Sequence, residues 1–318
     1  LWVGTDKGLQ HVKYLGPKGF FIEDLGMPIK DEVLSIYQDT EDKLWIGTRN
    51  NGLYKLKPDD KGVFEIEKHF VAGITSNTIS HRTVSTIFHD RTGKIWLGMH
   101  SKGINVFDPK GEKVSHIEPP MSELISGGNI TSVWGIAESE ENGIWFATDG
   151  GGLYHYSKET EEAAKVASTT GPIVISDNAI LSIAKTNDNK LWLGTYASGI
   201  NVIDLKTKTT IVFNTETNSK GLQSNDIRTI HQDKENVIWI GTNRGGLHYY
   251  EPSKKSIIAI DNSTSLDIRG IVDDPVNEHI LWLASYGDGL IKYNKKDGSI
   301  VKFNWSTKDK KEKAREGQ

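Results

Sequence analysis

The motif Trp-x-Gly-Thr, or a near variant of it, recurs seven times along the chain, at Leu1 to Thr5, Leu44 to Thr48, Ile95 to Met99, Ile144 to Thr148, Leu191 to Thr195, Ile238 to Thr242 and Leu281 to Ser285. The tryptophans lie 43, 51, 49, 47, 47 and 43 residues apart. A period in this range belongs to stacked or radial repeats, in which one unit cannot bury its apolar face alone and packs it against the next. Any function must then be sought on the assembled repeats.

Each unit reads alike. An alternating apolar run such as Val33 to Tyr37 is followed by a polar turn, Asp39 to Lys43, and then by the Trp motif. A Gly-containing turn leads to a second alternating run, Leu53 to Leu56, and a variable turn to another, Phe64 to Lys68. Short period-two runs rich in β-branched and aromatic residues, bounded by Gly, Asn and Asp, are strands joined by hairpins. The expectation is an all-β, seven-bladed β-propeller of four-stranded antiparallel blades. Helical repeats of similar period need Ala- and Leu-rich runs at 3.6 spacing, and the 32 glycines and frequent turn signals argue against them.

The motif has a physical reason. A Trp on the second strand offers a large apolar face to the neighbouring blade, and a Gly two residues on lets backbones approach closely. Trp2, Trp45, Trp96, Trp145, Trp192, Trp239 and Trp282 are therefore read as packing residues. The clusters Gly150 to Gly152 and Gly245-Gly246 fall between two strands, where a phosphate cradle would need a strand followed by a helix N-terminus. They read as hairpin turns.

Six units carry all four strands; the first begins at its Trp strand and lacks the innermost one. Its strands are expected near Leu1 to Thr5, Leu9 to Tyr14 and Phe20 to Glu23. Residues 1 to 305 are assigned to the propeller and 306 to 318, with the charge run Lys308 to Arg315, to a solvated tail or linker. Because the chain opens inside a motif and has no initiator Met, it is expected to be a fragment whose missing strand comes from flanking sequence. No stretch approaches 18 consecutive apolar residues, so no membrane span is expected.

With 38 basic and 42 acidic side chains the formal net charge is -4. Such a balance creates no overall field for nucleic acid. There is no cysteine, which excludes disulfides, thiolate catalysis and Cys-based metal sites. The ten histidines show no metal-binding spacing, and His155 and His248 read as equivalent positions on a sheet surface. No nucleophile elbow appears. No catalytic residue, metal or cofactor is assigned. The segments Asp39 to Trp45 and Asp90 to Trp96 read as structural turns.

What varies is the end of each unit. The turn after the Trp motif holds Arg49, His100, Asp149, Tyr196, Asn243-Arg244 and Tyr286 in blades 2 to 7. On the first strands, the residue after the core position Val33, Val84, Val133, Ile180, Ile227 or Ile268 is Leu34, Ser85, Trp134, Leu181, Arg228 or Arg269, and it is expected to point away from the core by simple alternation. Where structural positions repeat and these do not, a binding surface is expected. Aromatic rings stack on sugar faces, and guanidinium groups give directional bonds to hydroxyls or carboxylates. The candidate ligand-binding residues are Arg49, His100, Trp134, Tyr196, Arg228, Arg244, Arg269 and Tyr286. Arg228 and Arg269 also have Asp226 and Asp267 at hand as ion-pair partners.

Leu-Trp-Ile-Gly-Thr with a preceding Ile-x-x-Asp and a following Gly-Leu, and the segment Gly221 to Ile227 leading into Asp233 and Trp239, resemble the two-component regulator propeller repeat. The resemblance covers about Leu1 to Asn304. It implies the periplasmic sensor region of a Bacteroidetes-type hybrid two-component histidine kinase, anchored in the inner membrane. Such a module would bind a glycan-derived oligosaccharide and relay occupancy to a kinase absent from this chain. The implied partners are that oligosaccharide, the flanking sensor domains of the parent protein and a second copy in a homodimer. Two other classes stay open. A propeller lyase or glycosidase would draw an acid/base pair from His100, Asp149 and Tyr196, and an interaction scaffold would need an apolar patch.

Overall fold

The computed structural model describes residues 1–14, 20–23, 29–75, 77–108, 113–117, 132–217 and 221–303. The charge run Lys308 to Arg315 lies outside the described residues. The fold is a seven-bladed β-propeller of antiparallel, mostly four-stranded sheets, and the chain divides into two compact units, Leu1–Ile183 and Ala184–Gln318.

In the first unit, blade 1 has three strands, Trp2–Thr5, Gly8–Tyr14 and Phe20–Glu23, within a residue of the sequence expectation. Blade 2 comprises Val33–Gln38, Leu44–Thr48, Leu53–Pro58 and Phe64–Phe70, and blade 3 comprises Val84–His89, Ile95–Met99, Ile104–Phe107 and Val114–Ile117. Blade 4 runs Val133–Ser139, Gly143–Thr148, Gly152–Ser157 and Glu162–Ser168. It also carries a fifth strand, Ile173–Val174, parallel to the fourth, which the sequence reading did not anticipate. Blade 5 opens with Ile180–Lys185, within which the division of the chain falls, and continues in the second unit with Lys190–Thr195, Ile200–Asp204 and Thr209–Phe213. Blade 6 comprises Ile227–Gln232, Ile238–Thr242, Gly246–Glu251 and Ser256–Ala259; blade 7 comprises Ile268–Asp273, Ile280–Ser285, Gly289–Asn294 and Ile300–Phe303.

The turn between first and second strands explains why these segments fold back so regularly. It needs one residue in the left-handed region, which Gly, Asn and Asp tolerate best, and Asp42, Gly93, Asn142, Asn189 and Asn236 supply it with φ of 60°, 86°, 50°, 60° and 65°. In blades 2, 3 and 6 an Asp caps this turn with Oδ1 and reaches the indole with Oδ2. Asp39 accepts from the Glu41 and Lys43 amides and from Trp45 Nε1 at 2.9 Å, and Asp233 accepts from Glu235, Val237 and Trp239 Nε1 at 2.8 Å. Where blade 4 has Ser139 in that place, the side chain is too short, and Trp145 Nε1 is left buried without a partner.

Trp packing runs from blade to blade, as expected. Within the first unit Trp2 packs against Ile46 and Leu56, Trp45 against Val84 and Leu97, and Trp96 against Ile136 and Phe146. Within the second, Trp192 packs against Ile227 and Ile240, and Trp239 against Ile268 and Leu283. Three of these indoles meet a tyrosine of the following blade edge-on, Trp96 with Tyr156, Trp192 with Tyr250 and Trp239 with Tyr293, at 5.6, 5.0 and 5.5 Å. That is the geometry ring quadrupoles favour. The motif glycine works by close approach. A Cβ on Gly98 would stand 2.6 Å from the Val133 carbonyl of the next blade.

The two histidines are not equivalent. His155 pairs across the ladder with Trp145, but His248 pairs with Ile240, one position off the Trp239 partner Tyr249. With a side-chain period of two, that single step turns His248 to the other face, where it is fully buried rather than on a sheet surface.

Candidate functional site

One backbone clasp joins the two sets of variable positions. In five blades the amide of the first turn residue donates to the carbonyl of the residue just before the first strand's core position. The pairs are Arg49 to Glu32, His100 to Thr83, Asp149 to Ser132, Asn243 to Asp226 and Tyr286 to Asp267, at 2.8 to 3.3 Å. The core positions themselves are buried, so the clasp sits at the rim of the packed sheet. It brings together three residues per blade: the lead-in residue, the residue after the core position, and the turn residue.

The middle residue of each trio departs from simple alternation. The ladder between first and second strands slips by one residue between Val33 and Ser35, Val84 and Thr86, Val133 and Gly135, Ile227 and Thr229, and Ile268 and Gly270. Leu34, Ser85, Trp134, Arg228 and Arg269 thus occupy β-bulges, which re-aim a side chain and interrupt pairing. The consequence differs by blade. Ser85 is buried and donates to the Gly98 and Val133 carbonyls, so in blade 3 the bulge serves the fold. Trp134 is partly buried, with its Nε1 enclosed and unpartnered.

In the unit Leu1–Ile183, Arg49 is held by both oxygens of Glu32, and the hydrogen bonds it donates to that carboxylate raise its already high basicity. Its carbonyl accepts from Thr83 Oγ1 at 2.5 Å, and Thr83 in turn accepts from the His100 amide. His100 Nδ1 lies 3.1 Å from Ser132 Oγ, and its ring is 5.5 Å from that of His81. Burial, and then the neighbouring His100, lower the basicity of His81. Arg49 and His100 are therefore linked through Thr83, and His100 and Asp149 both bond Ser132.

In the unit Ala184–Gln318, Tyr196 and Arg228 meet, with the guanidinium 5.6 Å from the ring centre, and Arg269 and Tyr286 repeat the contact at 5.5 Å. Arg228 Nη2 donates to Asp226 Oδ2 at 2.5 Å, and Arg269 Nη2 to Asp267 Oδ2 at 2.7 Å. Asn243 Nδ2 also donates to Asp226 Oδ2, at 2.8 Å. The tyrosines stay outward, 54% and 74% exposed. Arg244 is exposed, with φ of 56°, and forms no ion pair among the described residues. Asp226 and Asp267, which the sequence offered as ion-pair partners, thus hold two of the candidate arginines in place.

Among the described residues no group of three or more His, Asp or Glu side chains is placed to hold a metal ion, and no helix is long and apolar enough to cross a membrane.

Three segments of the chain, residues 28–50, 175–197 and 221–244, match the two component regulator propeller family. Each runs through a first strand and the Trp strand into the following turn, and the first and third contain the clasp. Histidine kinase P4 of Formosa agariphila is 23% identical over 224 residues, covering 56% of this chain and 16% of that protein. The extracellular domain of the hybrid two component system BT3049 from B. thetaiotaomicron superposes with a TM-score of 0.68 at 22% identity, covering 86% of this chain and 35% of that one. The extracellular domain of BT4673 from the same organism superposes with a TM-score of 0.61 at 17% identity, covering 95% and 46%. The likeness to these structures is one of fold. This chain spans about one sixth of the curated relative and less than half of either structural one.

Proposed function

We propose that this chain, built from two-component regulator propeller repeats, is the ligand-sensing propeller of a periplasmic sensor, and that it binds a glycan-derived oligosaccharide without cleaving it. The observation that carries the reading is the repeated pairing of an exposed tyrosine with a guanidinium anchored on a buried or half-buried aspartate, at Tyr196 with Arg228 and at Tyr286 with Arg269. An outward ring supplies a stacking face for a sugar, and an arginine fixed by its own carboxylate donates with little loss of rotamer freedom. Arg244 contributes from the clasp-bearing turn of blade 6, and Arg49, His100 and Trp134 hold the corresponding turns and bulge of the unit Leu1–Ile183. Occupancy passes, on this reading, to flanking domains and a kinase elsewhere in an inner-membrane-anchored parent protein, which acts as a homodimer.

The test is a thermal-shift screen of the chain against glycan fragments, with product analysis on each hit, because a ligand that binds the native state raises its melting temperature. A shift with the glycan recovered intact supports the sensor. Reducing-end or unsaturated products would place the protein with the lyases and glycosidases, and stabilisation by a protein alone would make it a scaffold.

A further inference from the structure

Blade 3, in the unit Leu1–Ile183, gathers positive charge around two fixed imidazoles. His81 lies in the approach to the first strand and His100 in the turn after the Trp strand, with ring centres 5.5 Å apart. The fold orients both rings. Fully buried Asn105, on the third strand, accepts from the Ser80 amide at 2.7 Å and donates to Ser80 Oγ at 2.9 Å, which pins the residue before His81 to the sheet. The Thr83 amide then donates to His81 Nδ1 at 3.0 Å. Buried Ser132 Oγ accepts from the Ser101 amide at 3.0 Å, which leaves its own proton for His100 Nδ1 at 3.1 Å. With both Nδ1 atoms accepting, the neutral rings carry their protons on Nε2. Both side chains are partly exposed, and neither Nε2 is enclosed or bonded among the described residues, so two ring N–H donors stand open to solvent.

The charges beside them have one sign. Arg82 is exposed and forms no ion pair among the described residues, and exposed Lys102 follows His100 in the same turn. Burial, and after it the charges of His100, Arg82 and Lys102, lower the basicity of His81. Of the carboxylates on the flanking turns, Glu32 is already held by Arg49, and Asp149 opens the turn of blade 4. Two imidazoles this close repel each other once protonated, and an anion placed against both removes that penalty. A carboxylate or sulfate offers only acceptors and carries the charge that Arg82 lacks, whereas a neutral hydroxyl can accept from a ring but brings nothing to the guanidinium. Resting on the glycan reading above and narrowing it, we propose that His81, Arg82 and His100 form a subsite for an acidic group of the sugar chain, the carboxylate of a uronate or a sulfate ester. An anion there favours the protonated rings, so by linkage its binding tightens as pH falls.

The experiment has two arms on the full chain. Imidazole NMR of histidine-labelled protein follows the His81 and His100 rings in sodium sulfate and in sodium chloride of equal ionic strength. We expect sulfate, and not chloride, to shift both sets of ring signals, and the response to fade in Arg82→Ala, a change at an exposed side chain that spares the fold. Calorimetry at pH 5.5 and pH 7.5 then uses hexagalacturonate for the carboxylate, a κ-carrageenan hexasaccharide for the sulfate ester and cellohexaose for neither. One of the acidic hexamers should bind about threefold or more tightly at the lower pH, and lose about fivefold or more in Arg82→Ala and in His81→Gln, which also identifies the acidic group. Rings indifferent to sulfate, with acidic hexamers bound equally by wild type and both variants, would overturn the subsite while leaving glycan recognition standing. Cellohexaose bound more tightly than either acidic chain would overturn the acidic class. A sulfate response with no hexamer bound would sink the glycan reading, and with it a sugar as the source of the anion.

Discussion

The indole Nε1 of Trp96 donates to Asp90 Oδ2 at 2.9 Å, and the Lys158 ammonium, from the end of the next blade's third strand, reaches the same oxygen at 2.7 Å. Blades 6 and 7 repeat the latch with Asp233, Trp239 and Lys295, the lysine at 2.9 Å. One carboxylate thereby caps its own turn, orients the packing indole and ties its blade to the next.

This latch should titrate. Burial alone would raise the Asp90 pKa, but the Lys158 hydrogen bond, then those from Thr92, Trp96 and the Lys94 amide, outweigh it and bring it to about 2 from an ordinary 3.8. A folded pKa below the unfolded one means stability that is present above pH 4 and lost as pH falls toward 2, amounting to about 2 kcal/mol. Urea unfolding of wild type and Asp90→Asn from pH 6 to pH 2 checks it. The wild type should be the more stable at pH 6 and converge on the variant at pH 2.

A second, higher window belongs to His248. Burial pushes its pKa from 6.5 to about 4, and its Nε2 accepts from the Gln223 amide at 3.2 Å, which requires the neutral ring. The unfolded chain binds the proton first, so stability is whole above pH 6.5 and falls by about 3 kcal/mol as pH drops to 4. His248→Gln should flatten the stability profile across that interval and leave the Asp90 window in place.

Trp192→Ala should destabilise the protein by about 3 to 5 kcal/mol, the range for emptying a buried aromatic site. The side chain is 4% exposed and is enclosed by Ile227, Ile230 and Ile240 of the next blade with Phe213 and Tyr250 around it. Equilibrium unfolding reads the change directly, and a loss under about 1 kcal/mol would contradict the blade-to-blade role.

Arg228→Ala should cost stability as well as ligand. Its guanidinium is mostly buried and holds Asp226, whose Oδ2 would keep only the Asn243 amide. Leaving a carboxylate short of donors costs about 1 to 3 kcal/mol, which a denaturant midpoint would register. Arg228→Lys should restore part of it, because an ammonium can pair with Asp226 but cannot reproduce the planar fork over Tyr196.

The fold was legible because the repeat prints its Trp seven times, and the Gly and the left-handed turn residue five times each. The Trp motif, the Gly two residues later and the left-handed turn residue each recur at fixed offsets, and no single copy had to be read alone. The candidate residues were picked out by their variation between repeats, but not their geometry. A β-bulge is one residue with no compositional mark, so Arg228 and Arg269 read as ordinary alternating positions, although their i,i+2 aspartates were in plain view. His248 misled for a related reason, since one register step separates a surface residue from a core one. The short fifth strand Ile173–Val174 carries too few residues to show a period. Asp90, six residues before Trp96, was visible as a turn residue; that its second oxygen would reach the indole and a lysine 68 residues on is tertiary information.

The most direct test of glycan sensing is calorimetric titration of the isolated chain with the oligosaccharide that stabilises it, compared with Tyr196→Ala. Tyr196 is more than half exposed, so its loss should spare the fold while removing the stacking face beside Arg228. The expected result is a single binding event in wild type, weakened by about tenfold or more in the variant, roughly 1.4 kcal/mol, with the glycan recovered uncleaved. Equal affinities in the two proteins, or a glycan returned in pieces, would contradict it.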